Sequence, residues 1–181
     1  MPTNEEIDAV KNLLRHSFTL LNNHDSDLID ITDFNCHDYN DEAIRLERKL
    51  HEVCINHRLA HYIENLLPYF IGSKYHVDIE YNRFYRNPKY LQEDGSIEIV
   101  RPDIIVHTRA EQRGYPQHLI VIEAKKTQIS DEDTRKVRSF LTDQNYNYVF
   151  GITIKYGNFD PIEAILYYQD IDGVIRHCAI N

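Results

Sequence analysis

Residues 101–126 read RPDIIVHTRAEQRGYPQHLIVIEAKK. Two apolar runs, IIV (104–106) and LIVI (119–122), each touch a carboxylate. Asp103 precedes the first run, Glu123 follows the second, and Lys125 stands two residues on. The β-branched composition of the runs, with turn-forming residues at 111–116, predicts two strands that pair as a hairpin. Strand alternation then sorts the side chains. Asp103, Ile105 and His107 share one face of the first strand, and Leu119, Val121, Glu123 and Lys125 share one face of the second. One pairing register brings Asp103 beside Glu123 and Lys125. Two carboxylates held close repel each other, and burial makes this worse. A neighbouring ammonium relieves part of the cost, and a hard divalent cation relieves far more. Mg²⁺ takes one or two carboxylates together with waters and phosphate oxygens, and the backbone carbonyl of Ala124 offers one more oxygen. With Lys125 to orient or deprotonate a water, the set suits phosphodiester hydrolysis.

Outward from this stretch, the chain alternates helical and strand patterns. Residues 4–22 place Ile7, Val10, Leu13, Leu14, Phe18 and Leu21 at helical spacing behind a TNEE start signal. Residues 25–40 are acidic and without period, and read as a loop or short accessory element. A long helix is expected over 41–67, ended by Pro68. Strands are expected over 75–85, 97–108, 118–126 and 146–156, with a turn at Asp94-Gly95. Residues 130–144 predict a helix, with Ser130 as cap, Asp133 at its third position and Val137, Phe140 and Leu141 as its apolar stripe. Two tail strands, 163–170 and 174–180, meet at Asp172-Gly173. The expected fold is α/β: a helix, a three-strand meander, a crossover helix and a further strand, preceded by an N-terminal helix and closed by a C-terminal β-hairpin. Residues 1–40 would be accessory, and 41–181 one domain.

Pro102-Asp103, nineteen residues, then Glu123-Ala124-Lys125 resembles the signature of the PD-(D/E)XK nucleases, the restriction-endonuclease-like fold. The likeness spans roughly residues 41–156, and the family's element order is the one just read. The segment EVCINHRLAHYIE (52–64), with DIEYNR, PDIIVH and IEAKK, is similar to a group of small bacterial proteins of that superfamily. The resemblance implies an Mg²⁺-dependent nuclease, with Mn²⁺ as a substitute, acting on DNA. Asp103, Glu123 and the Ala124 carbonyl would hold the metal and Lys125 would handle the water. Many members add a Glu from the first helix. Glu52 extends the stripe Ile55, Leu59, Ile63 and Leu66, and is the first choice; Glu47, in line with His51, Cys54 and His61, is the reserve. Lys126, Arg135, Lys136 and Arg138, at or just after the active strand, are candidate phosphate contacts. A homodimer, or a subunit of a larger defence or repair assembly, would fit the family.

Composition frames these readings. The chain has 181 residues and a formal net charge of -9, which does not announce a nucleic-acid binder. Residues 74–138 carry 12 Lys and Arg against 11 Asp and Glu, so the acidity lies in the flanks. No apolar run approaches the ~20 residues of a membrane span, and the acidic start lacks a signal-peptide pattern, so a cytoplasmic protein is expected. Cys36, Cys54 and Cys178 form no metal or disulfide pattern.

Each feature also has a plain reading. Asp103 and Glu123 suit solvent-facing strand ends, the lysines suit a strand edge, and the basic residues of 130–144 suit a solvated helix face. His57 and His61 stand at i and i+4 but belong to no H-E-x-x-H motif, and His51 lies about 240° from His57 around the helix. His107 suits a partly buried strand position. Tyr81, Tyr85 and Tyr90, interleaved with Arg83, Arg86 and Lys89, suit either base stacking or an ordinary strand pair. A non-catalytic nucleic-acid or protein-binding module that keeps the nuclease fold is the rival function.

Overall fold

The computed structural model describes residues 1–29, 41–81, 83–84, 87–88, 90–93, 96–157 and 161–180. For 27, 41–51, 83–84, 87–88, 90–93 and 96–98 it describes the backbone alone. Helices α1 (Asn4–His24), α2 (Ser26–Ile29) and α3 (Asp41–Phe70) come first. Strand β1 (His76–Ile79) is followed by four short strands, β2 (Arg83–Phe84), β3 (Asn87–Pro88), β4 (Tyr90–Glu93) and β5 (Ser96–Ile99). Then come β6 (Ile104–His107), β7 (His118–Lys125), α4 (Asp131–Thr142), β8 (Phe150–Lys155), β9 (Glu163–Gln169) and β10 (Ile175–Ala179).

One six-stranded mixed sheet, in the order β1-β6-β7-β8-β9-β10, organises the molecule. β1, β6 and β7 form the expected antiparallel meander. α4 carries the chain across to β8, which runs parallel to β7. β9 and β10 complete the sheet as an antiparallel hairpin. Both faces of the central strands are covered, so β6 and β7 read as continuous apolar runs. On one face α1 and α3 pack Val10, Leu13, Leu14, Ile55, Leu59 and Ile63 against Ile104, Ile120, Ile122 and Ile152. On the other, α4 lays Val137, Phe140 and Leu141 on Val121 and Tyr167. Among the described residues no helix is long and apolar enough to cross a membrane.

Three expectations are corrected. Helix α3 continues through Pro68 to Phe70. The proline forfeits a hydrogen bond only to the carbonyl of Glu64, an exposed position where water can replace it. The turn then closes with the Ile71 and Gly72 amides donating to the Leu67 carbonyl at 2.9 and 2.8 Å. The strand expected over 97–108 is two strands. Residues 96–99 pair with β4 in a separate hairpin, and the chain breaks before β6 at Arg101-Pro102, where proline has no amide to give a ladder. The strand expected over 75–85 ends at Ile79, because Glu80 turns to a positive φ of 47°. Asp94-Gly95 and Tyr85, Arg86 and Lys89 lie outside the described residues, as does most of the acidic segment 25–40, of which Ser26–Ile29 form α2.

Candidate active site

The meander sets the first two acidic positions. β6 pairs with β7 so that Ile104 opposes Ile122, and extending that register by one residue sets Asp103 against Glu123. Asp103 sits just before β6 and is held there twice. Its carbonyl accepts from the Glu80 amide at 2.9 Å, and its Oδ2 accepts from the Ala124 amide at 2.8 Å. Glu123 faces the α4 side beside Thr153 of β8 and is 7% exposed. Lys125 ends the strand on the same face.

Three carboxylates from three elements surround the Lys125 ammonium. Its Nζ lies 3.6 Å from Asp103 Oδ2, 3.7 Å from Asp133 Oδ1 on α4, and 3.8 Å from Glu52 Oε1 on α3. It also donates to the Ala124 carbonyl at 3.3 Å. Glu52 is fastened by its other oxygen, which accepts from the Lys126 amide at 3.3 Å. A buried cross-brace stands behind this contact. The Tyr156 amide donates to the Lys125 carbonyl at 2.9 Å, and the Tyr156 hydroxyl donates to Asn56 Oδ1 at 2.7 Å, one helical turn from Glu52. α3 is thereby tied to the end of β7.

Burial and charge act on these groups together. Burial, and then the charge of Asp103, push Glu123 up to about 8. Burial also raises Asp103, against the pull of Lys125 and of the Ala124 amide. Burial opposes the charge on Lys125, but Asp103, Glu52, Glu123 and Asp133 outweigh it and raise its pKa, so the ammonium is retained. Asp133 is lowered in spite of burial, by its hydrogen bonds to Ser130 and by Lys125.

The structure thus brings together Asp103, Glu123, Ala124, Lys125 and Glu52. Lys126 is buried at 5% exposure, which places it off the open surface. Arg135 and Arg138 are exposed on the outer side of α4. Lys136 pairs with Glu132 at 3.0 Å, and its charge reaches Glu123. Glu47 and His51 have side chains outside the described residues. His57 is exposed, and His61 contacts Asn65 at 3.0 Å on its own helix. His107 is tied to Asp78 at 2.7 Å, a carboxylate that also binds Arg109. Asp133 was visible to sequence reasoning only as a helix cap.

All the donors that converge on the strand end are oxygens, the type that Mg²⁺ prefers. Among the described residues no three His, Cys, Asp or Glu side chains are already gathered closely enough to hold a metal, and the Lys125 ammonium is the cation at the centre of the acidic groups. No protein-family model and no curated protein matches this chain.

Proposed function

We propose that this chain is a metal-dependent nuclease of the PD-(D/E)XK type that hydrolyses phosphodiester bonds in DNA. The observation that carries the reading is the convergence of Asp103, the Glu123-Ala124-Lys125 strand end and Glu52 from three separate elements. Surface acids do not arrange themselves so, and one of these is almost fully buried at a cost. Asp103, Glu123 and the Ala124 carbonyl would hold Mg²⁺ or Mn²⁺, with Glu52 beside them. Bound there, the ion would supply Lewis-acid polarisation of the phosphate and an acidified water. Lys125 orients the attacking water through its ammonium, and Arg135, Lys136 and Arg138 grip flanking phosphates as the strand passes α4.

The test is cleavage of single-stranded, duplex and branched DNA with Mg²⁺ and with Mn²⁺. Asp103→Ala and Lys125→Ala should each lower the rate by at least about 10³-fold, the scale of removing a group that acts in the chemical step. Asp103→Ala should also abolish Mn²⁺ binding measured by calorimetry. A wild-type protein that leaves every one of these substrates intact with both metals defeats the nuclease reading. Mn²⁺ binding unaffected by Asp103→Ala defeats the assignment of the site.

A further inference from the structure

Asp133 does two things at once. It is the third residue of α4, and its Oδ2 closes the capping box, accepting from the Ser130 amide at 2.9 Å and from the Ser130 hydroxyl at 2.6 Å. A capping box needs no more than that oxygen. The other oxygen, Oδ1, is turned to Lys125 Nζ at 3.7 Å, and the side chain is only 10% exposed. In such surroundings an ion pair acts at a lower effective dielectric than on the open surface.

We infer that Asp133 is a positioning residue for Lys125, an inference that rests on the nuclease reading for its consequence in catalysis. An ammonium has three N–H donors. Here, besides its hydrogen bond to the Ala124 carbonyl, it has three carboxylates at nearly equal distances, one from α3, one from the residue before β6 and one from α4. The three compete for the same ammonium, and none of them alone sets its position. Without Asp133 the remaining attraction is toward Asp103, Glu52 and Glu123. Lys125 then closes on the carboxylates that the reaction reserves for a cation. Asp133 therefore keeps the lysine in place for the water and limits how closely it approaches Asp103. The rigid cap fixes the position of Asp133, so the docking of α4 is transmitted to the lysine.

The test compares Asp133→Asn with Ile180→Ala, which weakens the far edge of the sheet beside β9 and leaves the docking of α4 alone. Asp133→Asn keeps a side-chain oxygen for Ser130 and loses the charge. It should lower kcat about 10–100-fold with KM within about twofold, the usual scale for an outer group that orients an active one. Asp133→Glu should recover part of the loss. Ile180→Ala, at an equal or larger drop in Tm, should leave kcat within about twofold. A second readout needs no activity: the rate at which an amine-reactive acylating reagent modifies Lys125, followed by mass spectrometry with Lys155 as internal reference. Asp133→Asn should change the Lys125 rate at least about threefold and leave Lys155 unchanged. Equal kcat losses in Asp133→Asn and Ile180→Ala, or an unaltered Lys125 rate, overturn the inference even if the wild type cleaves DNA. A wild type that cleaves nothing overturns the nuclease reading instead, and the acylation rate still decides whether Asp133 holds the lysine.

Discussion

Glu123→Gln separates what the site costs the fold from what it does. The Glu123 carboxyl is 7% exposed and is pushed up to about 8 by burial and by Asp103, against an ordinary 4.5. Well below 4.5 the side chain is neutral whether the chain is folded or not. Between 4.5 and 8 the unfolded chain gives up the proton and the folded one keeps it. Stability therefore falls as pH rises, by up to about 1.4 kcal/mol per pH unit. Above pH 8 both states are ionised and the loss is complete, on the order of 3–5 kcal/mol. Gln keeps the shape, never ionises, and removes a repelling neighbour from Asp103. The unfolding free energy of the variant minus that of the wild type should thus climb from about pH 5 to about pH 8 and then level off. Urea unfolding in half-unit steps across that range, without divalent metal, reads the difference, because groups remote from Glu123 cancel between the two proteins. Added Mg²⁺ at about pH 8 should raise the Tm of the wild type, not of the variant. The variant should be the more stable protein and the inactive one. A difference that stays flat with pH would falsify the burial argument.

Gly151→Ala would drive a Cβ into Val137 Cγ1 and place it 3.3 Å from the Val137 carbonyl oxygen. A β-branched valine cannot swing aside, so α4 must lift, at a cost of about 1–3 kcal/mol in urea unfolding; an unchanged midpoint contradicts this packing. Tyr156→Phe leaves the buried Asn56 oxygen without its donor, a loss of about 1–3 kcal/mol. Because Asn56 sits one turn from Glu52, cleavage measured well below Tm should also slow, and an unaltered rate would separate this brace from the site.

The part of the site carried by strand alternation could be read from residues 101–126 alone. Period-two geometry fixes which side chains share a face, and the register follows once both apolar runs must be buried. The helical stripe of α3, together with the family resemblance of residues 52–64, favours Glu52 over Glu47, and the structure brings the Glu52 carboxylate to Lys125. Asp133 was different. Its capping role is local and so was visible, but the direction of its second oxygen depends on where α4 docks. That docking is set by Val137, Phe140 and Leu141 against strands remote in sequence. The Asn56–Tyr156 brace, 100 residues apart in the chain, was hidden for the same reason. The break at Pro102 was in plain view and was overridden by the apolar residues on either side of it. Pro68 misled in the opposite sense, since a proline near a helix end costs little where its freed carbonyl meets water.

The site therefore depends on two packings rather than on its motif alone. Asp103, Glu123 and Lys125 belong to one antiparallel ladder and move together. Glu52 and Asp133 arrive on helices that lie on opposite faces of the sheet, each held by its own apolar cluster. The Lys125 ammonium touches both. A displacement of either helix by about 1 Å is enough to cost two orders of magnitude in a reaction that needs aligned groups. Gly151 sets how closely α4 approaches, and the Tyr156–Asn56 bond sets where α3 lies against the strand end. Neither residue belongs to the motif, so a chain that keeps Asp103, Glu123 and Lys125 and loses either one keeps the signature without the geometry. Strand spacing fixes which charges share a face, and the two helix dockings set how closely they converge at the end of β7.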